Sequence, residues 1–277
     1  MVPSAKDKEF LFSRQDFEHI REILYAKTGI RLADSKDSMV YSRLARRLRA
    51  LKIPTFAKYL LFLQQNTEED QSFINALTTN LTSFFREQHH FPLLKEYLNA
   101  HPGKKRIWCA ASSTGEEPYS IAMTVAETYG SFNTEVEIIA SDIDSAVLEK
   151  ASMGVYTQNN IKDLDKDMCK QFLQRGKGSN AGSIRVVPEL RKMVQFRQIN
   201  LTHNKWDIEP VVDVLFCRNV MIYFDKATQL KILSRMVALM PPDGLYLAGH
   251  SENFSGAGHL VTLIGKTVYR PVTVKHS

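Results

Sequence analysis

The run from Arg106 to Met123, RIWCAASSTGEEPYSIAM, constrains the chain more than any other stretch. Ile107, Trp108, Cys109 and Ala110 read as a buried strand. Ala111, Ser112, Ser113, Thr114 and Gly115 are turn residues, and a helix opens at Glu116 with Pro118 in its first turn. Strand, tight loop and helix in this order form the unit from which α/β sheets build nucleotide sites. Taken alone, the loop is more simply an ordinary βα turn with a solvated acidic cap, because short motifs match by chance. The next strand changes that balance. EIIASDID puts Asp142 at its carboxyl end, where a carboxylate accepts hydrogen bonds from ribose hydroxyls. A dinucleotide needs several glycines so that backbone can approach its pyrophosphate, and ASSTG has one. S-adenosylmethionine carries no phosphate and tolerates Ala and Ser there.

The 277 residues are enough for one large α/β domain and a small companion, and 44% apolar with 24% charged residues allows an ordinary core. No apolar run approaches the length of a membrane span. MVPSAKDKEF contains acids and no apolar region of signal-peptide type, so a cytoplasmic protein is expected. Cys109, Cys169 and Cys217 lie far apart in apolar settings, without CxxC or His at ligand spacing. They read as reduced core residues, and no metal site is expected. A formal charge of +6 and a pI near 9.1 point to an acidic partner.

Residues 1–75 form an expected helical domain and 76–277 an α/β domain. Ser13 is positioned to cap a helix carrying Phe17, Ile20, Ile23 and Leu24 at helical spacing and ending at Gly29. A second helix, about 36–51, has Val40, Leu44, Leu48 and Leu51 on one stripe. Arg43, Arg46, Arg47 and Arg49 lie between them, and no acid occurs between Ser38 and Thr67. Such a run is either a solvated face or a docking surface for a negative partner. Pro54 is expected to start a third helix and Thr67 a fourth. In NALTTNLTSFFREQHHF, the polar Asn80, Thr82 and Arg86 stand among Leu81, Phe84 and Phe85, as a segment beside a pocket would. His89 and His90 are expected to face different ways and to serve as capping or surface residues.

Farther along, Ser145 is expected to cap a helix, residues 155–195 break the strand-helix alternation, and within them RGKGSNAGSIRVVPEL reads as a hairpin inserted at about 176–196. VQFRQINLT leaves Asn200 and Leu201 at a strand end. VVDVLFCRNVMIYF leaves Arg218, Asn219 and Tyr223 after another. Asp225 is expected to cap a long helix to Met240, and GLYLAGH and TVYRPV supply two final strands. Ligands of open α/β sheets gather at strand carboxyl ends, which here offer Glu116 or Glu117, Asp142, Asn200 and Asn219.

TNLTSFFRE, AASSTGEEPYS, ASDID, INL and FCRNVMIYF, in this order, resemble the CheR-type chemotaxis receptor methyltransferases over essentially the whole chain. The resemblance implies a class I methyltransferase fold, a doubly wound, mostly parallel sheet with a small β-hairpin insertion, and an N-terminal all-helical domain closing over it. It implies methyl transfer from S-adenosylmethionine to receptor glutamates, leaving S-adenosylhomocysteine. Cofactor contacts carry over to Asn80, Thr82, Arg86, Glu117, Asp142, Asn200, Leu201, Arg218 and Asn219. Arg86 and Tyr223 match positions near the reacting methyl. The implied partners are receptor cytoplasmic helices, docked on Arg43, Arg46, Arg47 and Arg49, and a receptor C-terminal peptide at the β-subdomain. A monomer that reaches the membrane only through its receptor is expected.

A glutamate carboxylate is ionised at neutral pH, its ordinary pKa being about 4.3, so attack on a sulfonium methyl needs no general base. This agrees with a sequence that offers no nucleophilic triad, metal cluster or reactive cysteine. A nucleic-acid methyltransferase would share the fold. Against it, no [ND]PPY motif or Pro-Cys nucleophile occurs, and no aromatics interleave the basic run. A sensing module that kept the cofactor pocket and lost turnover is the non-enzymatic alternative. Glu116 is the other candidate beside Glu117, since either suits the helix start.

Overall fold

The computed structural model describes residues 9–272, which divide into two compact units. One ends at Thr79 and includes Tyr223–Asp225, and the other takes Asn80–Ile222 and continues from Lys226.

The first unit is helical. In α1 (Arg14–Thr28) the Ser13 hydroxyl accepts from Asp16 N at 3.1 Å, while Asp16 Oδ2 accepts from Ser13 N at 2.8 Å. This reciprocal cap satisfies donors that a helix start leaves open. Gly29, at φ 72°, ends the helix. α2 (Asp37–Leu51), α3 (Phe56–Gln65) and α4 (Glu69–Leu77) follow. Phe17, Ile20 and Leu24 of α1 and Val40, Leu44 and Leu48 of α2 are buried, as their spacing predicts, together with Phe56, Leu63 and Phe73. Thr55 rather than Pro54 opens α3. Its hydroxyl accepts from Lys58 N at 3.2 Å, which leaves the proline outside.

In the second unit α5 (His90–Ala100) leads into β1 (Lys105–Cys109), α6 (Glu116–Tyr129) and β2 (Val136–Asp142). Then come α7 (Ser145–Met153), β3 (Val155–Thr157), α8 (Lys166–Phe172), β4 (Leu173–Arg175) and β5 (Ser183–Val186). The chain closes with α9 (Pro188–Lys192), β6 (Val194–Gln198), β7 (Val214–Cys217), α10 (Lys226–Val237), β8 (Leu245–Ala248), β9 (Val261–Gly265) and β10 (Val268–Pro271).

The main sheet has the order β6-β2-β1-β7-β8-β10-β9. Pairings from β6 through β8 are parallel, and β10 pairs antiparallel with both β8 and β9. From β1 the chain builds β2 and β6 on one side, and later β7 and β8 on the other. The order therefore reverses between β1 and β7, the switch point at which open α/β sheets bind ligands in the crevice outside the strands' carboxyl ends. The core strands are apolar because both faces are covered: Ile107, Trp108, Cys109, Val214, Leu215 and Phe216 are all fully buried.

The insertion differs from the expected hairpin at 176–196. It is a three-stranded antiparallel sheet, β3-β5-β4, that begins at Val155. Pro188 starts α9, and Val194 already belongs to the main sheet, so the segment after Val186 lies outside the insertion. β3 is three residues long, too short for alternation to reveal it. β9 also went unread, and beyond Val261 its residues are exposed at a sheet edge. Asp144, not Ser145, caps α7, its Oδ1 accepting from Ala146 N and Val147 N at 2.9 and 3.2 Å. Among the described residues no helix is long and apolar enough to cross a membrane.

Candidate functional site

The loop after β1 is moulded onto the end of β2. Ser112 N donates to Ser141 O at 2.9 Å, and Ser113 N donates to Asp142 Oδ2 at 2.8 Å. The other Asp142 oxygen accepts from Asp144 N at 3.0 Å. Burial raises the Asp142 pKa, and the backbone donors work against the rise. Ser113 Oγ donates to Asn80 O at 2.9 Å, while Asn80 Nδ2 donates to Asp144 Oδ2 at 2.8 Å. Asn80, Asp142 and the βα loop are thus brought together. Gly115, at φ 100°, is required here: a Cβ would lie 2.8 Å from the Tyr156 hydroxyl and 2.9 Å from Ala151 Cβ.

Asn200 and Leu201 follow β6. Ile199 N donates to Asp142 O at 2.9 Å, which joins this loop to the same strand end. Asn200 Oδ1 accepts from Thr202 N at 3.0 Å, and Leu201 is buried. Arg235 of α10 supports the loop from behind. It donates to His203 O and Asn204 O at 2.7 and 2.9 Å, and its guanidinium lies 3.8 Å from the Trp206 ring centroid.

Beneath the β1–β7 switch point lies a buried charge cluster. The Arg218 side chain has no exposed surface, and its Nε is 3.3 Å from Glu117 Oε2 and 3.7 Å from Glu87 Oε2. Its Nη2 donates to Arg86 O. Glu117 Oε1 accepts from the Cys109 thiol at 3.3 Å. Burial raises the Glu117 pKa, opposed by Arg218 and then by that thiol. Glu116 has separate partners, its Oε2 accepting from Thr114 Oγ1 at 2.6 Å. The two glutamates therefore differ in surroundings: Glu117 belongs to the charge cluster and Glu116 braces the helix start.

Arg86 is half-buried and donates to Leu81 O at 3.1 Å, and Thr82 beside it is half-buried. Phe85 (φ 50°), Glu87 (φ 55°), Ser113 (φ 49°) and Asn219 (φ 59°) all occupy the left-handed region that non-glycine residues avoid. Strained backbone is retained where surroundings over-determine it, which makes these loops a functional candidate on conformational grounds. Glu252 supplies one such determinant. Its carboxylate accepts from Val220 N at 2.9 Å, Met221 N at 2.8 Å and Gly249 N at 2.5 Å, fastening the loop after β7 to the loop after β8. Tyr223 groups with the helical unit, where its carbonyl accepts from Arg31 N at 2.8 Å.

Several expectations need correction. The α2 arginines are not a free basic surface. Arg47 makes a two-pronged pair with the buried Glu69 at 2.8 and 2.6 Å, and Arg49 pairs with Glu9 at 2.8 Å. Arg43 donates to Ala76 O and Thr78 O at the end of α4. The absence of acids within 38–67 hid these partners, because they come from outside the run. Arg46 alone of the four is exposed and unpartnered among the described residues. His90 is fully buried rather than a surface residue, with its pKa pushed down to about 3 by burial and by Arg218. His89 precedes α5, so its ring is not set by helical geometry. Nε2 of His89 and of His90 converge on Thr267 Oγ1 at 3.2 and 2.9 Å. Cys109 meets a carboxylate instead of a purely apolar setting, and Cys169 is only half-buried. Glu87, Asp144, Arg235, His250 and Glu252 were missed. Glu87, Asp144 and His250 lie within TNLTSFFRE, ASDID and GLYLAGH without a signal of their own, and Arg235 and Glu252 lie outside every motif.

A family model described as CheR methyltransferase, SAM binding domain, matches residues 80–270, and one described as CheR methyltransferase, all-alpha domain, matches residues 15–78. The chain belongs to the CheR methyltransferase family. It is 54% identical over 272 residues to chemotaxis protein methyltransferase 2 of Pseudomonas aeruginosa, covering 97% of each chain. It is 50% identical to the chemotaxis protein methyltransferases of Salmonella typhimurium and Escherichia coli, over 91% of this chain and 88% and 89% of those. The cofactor of this CheR methyltransferase is S-adenosylmethionine. Its crevice suits a cationic adenosyl group. Two buried carboxylates face one buried guanidinium, and Glu87 Oε2, Arg218 Nε and Arg218 Nη1 have no hydrogen-bond partner. Asp142 sits at the strand end where a ribose is read.

Proposed function

We propose that this CheR methyltransferase transfers the methyl group of S-adenosylmethionine to glutamate side chains on the cytoplasmic helices of chemotaxis receptors, forming methyl esters. The observation that supports this reading is the 50–54% identity, over nearly the whole chain, to relatives named chemotaxis protein methyltransferases. When bound, the cofactor supplies an electrophilic methyl carbon on a sulfonium. The chain's own residues position and enclose. Asp142 holds the ribose, Glu117 the ammonium, and Asn200 with Leu201 the adenine side. Asn80, Thr82, Arg218 and Asn219 complete the cradle.

The acceptor carboxylate arrives ionised, so no side chain has to remove a proton. Alignment of the reacting atoms then accounts for most of what catalysis requires, a contribution of up to roughly 7–11 kcal/mol. Arg86, with its half-exposed guanidinium, suits orientation of a carboxylate. A closed bidentate grip would blunt the nucleophile. Tyr223 offers an aromatic face to a cation, worth about 1 kcal/mol.

On α2, Arg46 is the remaining candidate for receptor docking, with Arg49 contributing when its exposed pair to Glu9 opens. β3 and β4 are edge strands of the small sheet, a geometry to which a receptor C-terminal peptide adds by strand pairing. The protein acts in the cytoplasm as a monomer and reaches the membrane through its receptor.

The test is transfer of labelled methyl from S-adenosylmethionine to a receptor cytoplasmic fragment, with RNA and DNA as parallel acceptors. Base-labile label on the fragment is expected. Label on nucleic acid alone would replace this reading with the nucleic-acid one, and tight cofactor binding without any transfer would leave a sensing module. Arg46→Glu with Arg49→Glu should weaken receptor methylation without changing cofactor affinity. Unchanged transfer would remove docking from α2.

A further inference from the structure

The buried charges in the crevice do not balance. Arg218 carries one positive charge with no exposed surface, and Glu117 and Glu87, each with a side chain 9% exposed, bring two negative ones. His90 and Cys109 are the other buried titratable neighbours: burial and Arg218 suppress protonation of His90, and burial and Glu117 keep the Cys109 thiol protonated. Arg86 is half-exposed, turned to Leu81 O, and acts on Glu117 more weakly than Arg218 does, and the side chain of His250 is 62% exposed. Arg218, Glu117 and Glu87 thus bring together one more carboxylate than guanidinium.

The geometry is as informative as the count. An arginine and a carboxylate normally close into a two-pronged hydrogen-bonded pair. Arg218 does so with neither glutamate. Its Nε stands 3.3 Å from one and 3.7 Å from the other, and neither Nε nor Nη1 is hydrogen-bonded. Nη2, bound to Arg86 O, anchors the guanidinium between them. Glu87 is itself held from the opposite side, where Oε1 accepts from His250 N at 3.0 Å and lies 2.9 Å from His250 Nδ1. Oε2 faces Arg218 and has no hydrogen-bond partner among the described residues, with His90 Nδ1 3.9 Å away.

We propose that Glu87 is a positioning residue: by sharing Arg218 it keeps that guanidinium from closing on Glu117, and so leaves Glu117 a charge to offer the ammonium of S-adenosylmethionine. The inference rests on the reading above in which Glu117 meets that ammonium. An uncompensated buried charge is costly, and a cationic ligand relieves the cost on entering. Without the Glu87 charge, Arg218 turns wholly to Glu117, and the ammonium competes with a pair already made.

Glu87→Gln isolates the charge, since an amide oxygen still accepts from His250 N and Nδ1. The assay is calorimetric titration of the full chain with two ligands: S-adenosylhomocysteine, which carries the ammonium, and 5′-methylthioadenosine, which has the same nucleoside and thioether without the amino-acid end. In Glu87→Gln the affinity for S-adenosylhomocysteine should fall about tenfold, as loss of one charge-assisted contact implies, with methylthioadenosine unchanged within about twofold. Equal weakening of both ligands in Glu87→Gln, weakening of methylthioadenosine alone, or no change, would overturn the proposal. Glu117→Gln separates the two levels: selective loss there but not in Glu87→Gln sinks this inference alone, whereas no selective loss in Glu117→Gln sinks the ammonium assignment beneath it.

Discussion

Replacing Arg47 by alanine should destabilise the protein far more than replacing its neighbour Arg46, although the sequence presents them as equivalent members of one basic run. Arg47 Nε and Nη2 hold the two Glu69 oxygens at 2.8 and 2.6 Å, and the Tyr59 hydroxyl donates to the same carboxylate at 2.9 Å. Glu69 is 6% exposed, so truncating Arg47 leaves a buried carboxylate with one neutral donor. Breaking a fully buried pair costs about 3–5 kcal/mol. The Arg47 side chain is 29% exposed, which lets water replace part of what is lost, and places the cost nearer 2–3 kcal/mol. Arg46 is exposed and has no partner among the described residues, and its replacement should stay within about 0.5 kcal/mol. For a unit the size of the helical one, the Arg47 loss corresponds to a fall in the melting temperature of roughly 10 °C or more. Thermal unfolding followed by circular dichroism reads both variants. An Arg47→Ala shift no larger than that of Arg46→Ala would refute the claim that Arg47 is a structural residue.

His90 carries a pH prediction. Its folded pKa of about 3 lies below the ordinary 6.5, so its contribution to stability is fully present above 6.5 and is lost as pH falls toward 3. At pH 5 the loss is about 1.5 pH units at 1.36 kcal/mol each, or roughly 2 kcal/mol, and His90→Gln should flatten denaturant midpoints between pH 7 and 5 by that amount; parallel pH profiles would contradict this. Arg235→Met should lower affinity for S-adenosylhomocysteine and 5′-methylthioadenosine alike, by about tenfold, because it frees the carbonyls of His203 and Asn204 that set the Leu201 loop; calorimetry with unchanged affinities would exclude that role. Asp142→Asn should weaken adenosine-containing ligands by roughly tenfold or more, since one amide group cannot accept on both sides as the carboxylate does, and equal binding by wild type and variant would disprove it.

The fold was legible where a local signal stood for itself. The Ser13 cap, the apolar β1 and β7 and the strand-loop-helix at 106–123 are each written in adjacent residues. β3, with three residues, and β9, exposed along a sheet edge, lack the periodicity that reveals a strand. In the candidate site, Asn80, Glu117, Asp142, Arg218 and Asn219 could be named because they sit at strand ends or in motifs. Glu87 and Glu252 could not. They act by reaching residues more than 30 positions away: Glu87 reaches Arg218 and His250, and Glu252 reaches Val220 and Met221. The α2 arginines failed in the opposite direction. A run free of acids looks unneutralised until the fold brings Glu9 and Glu69 alongside it.

The adenosyl group of the cofactor is predicted to lie across the β1–β7 switch point. A crystal structure with S-adenosylhomocysteine tests this most directly. The ribose hydroxyls are predicted within hydrogen-bond distance of the Asp142 carboxylate and the ammonium within that of Glu117. A ligand bound elsewhere, or one in the crevice whose ribose leaves Asp142 untouched, would contradict it.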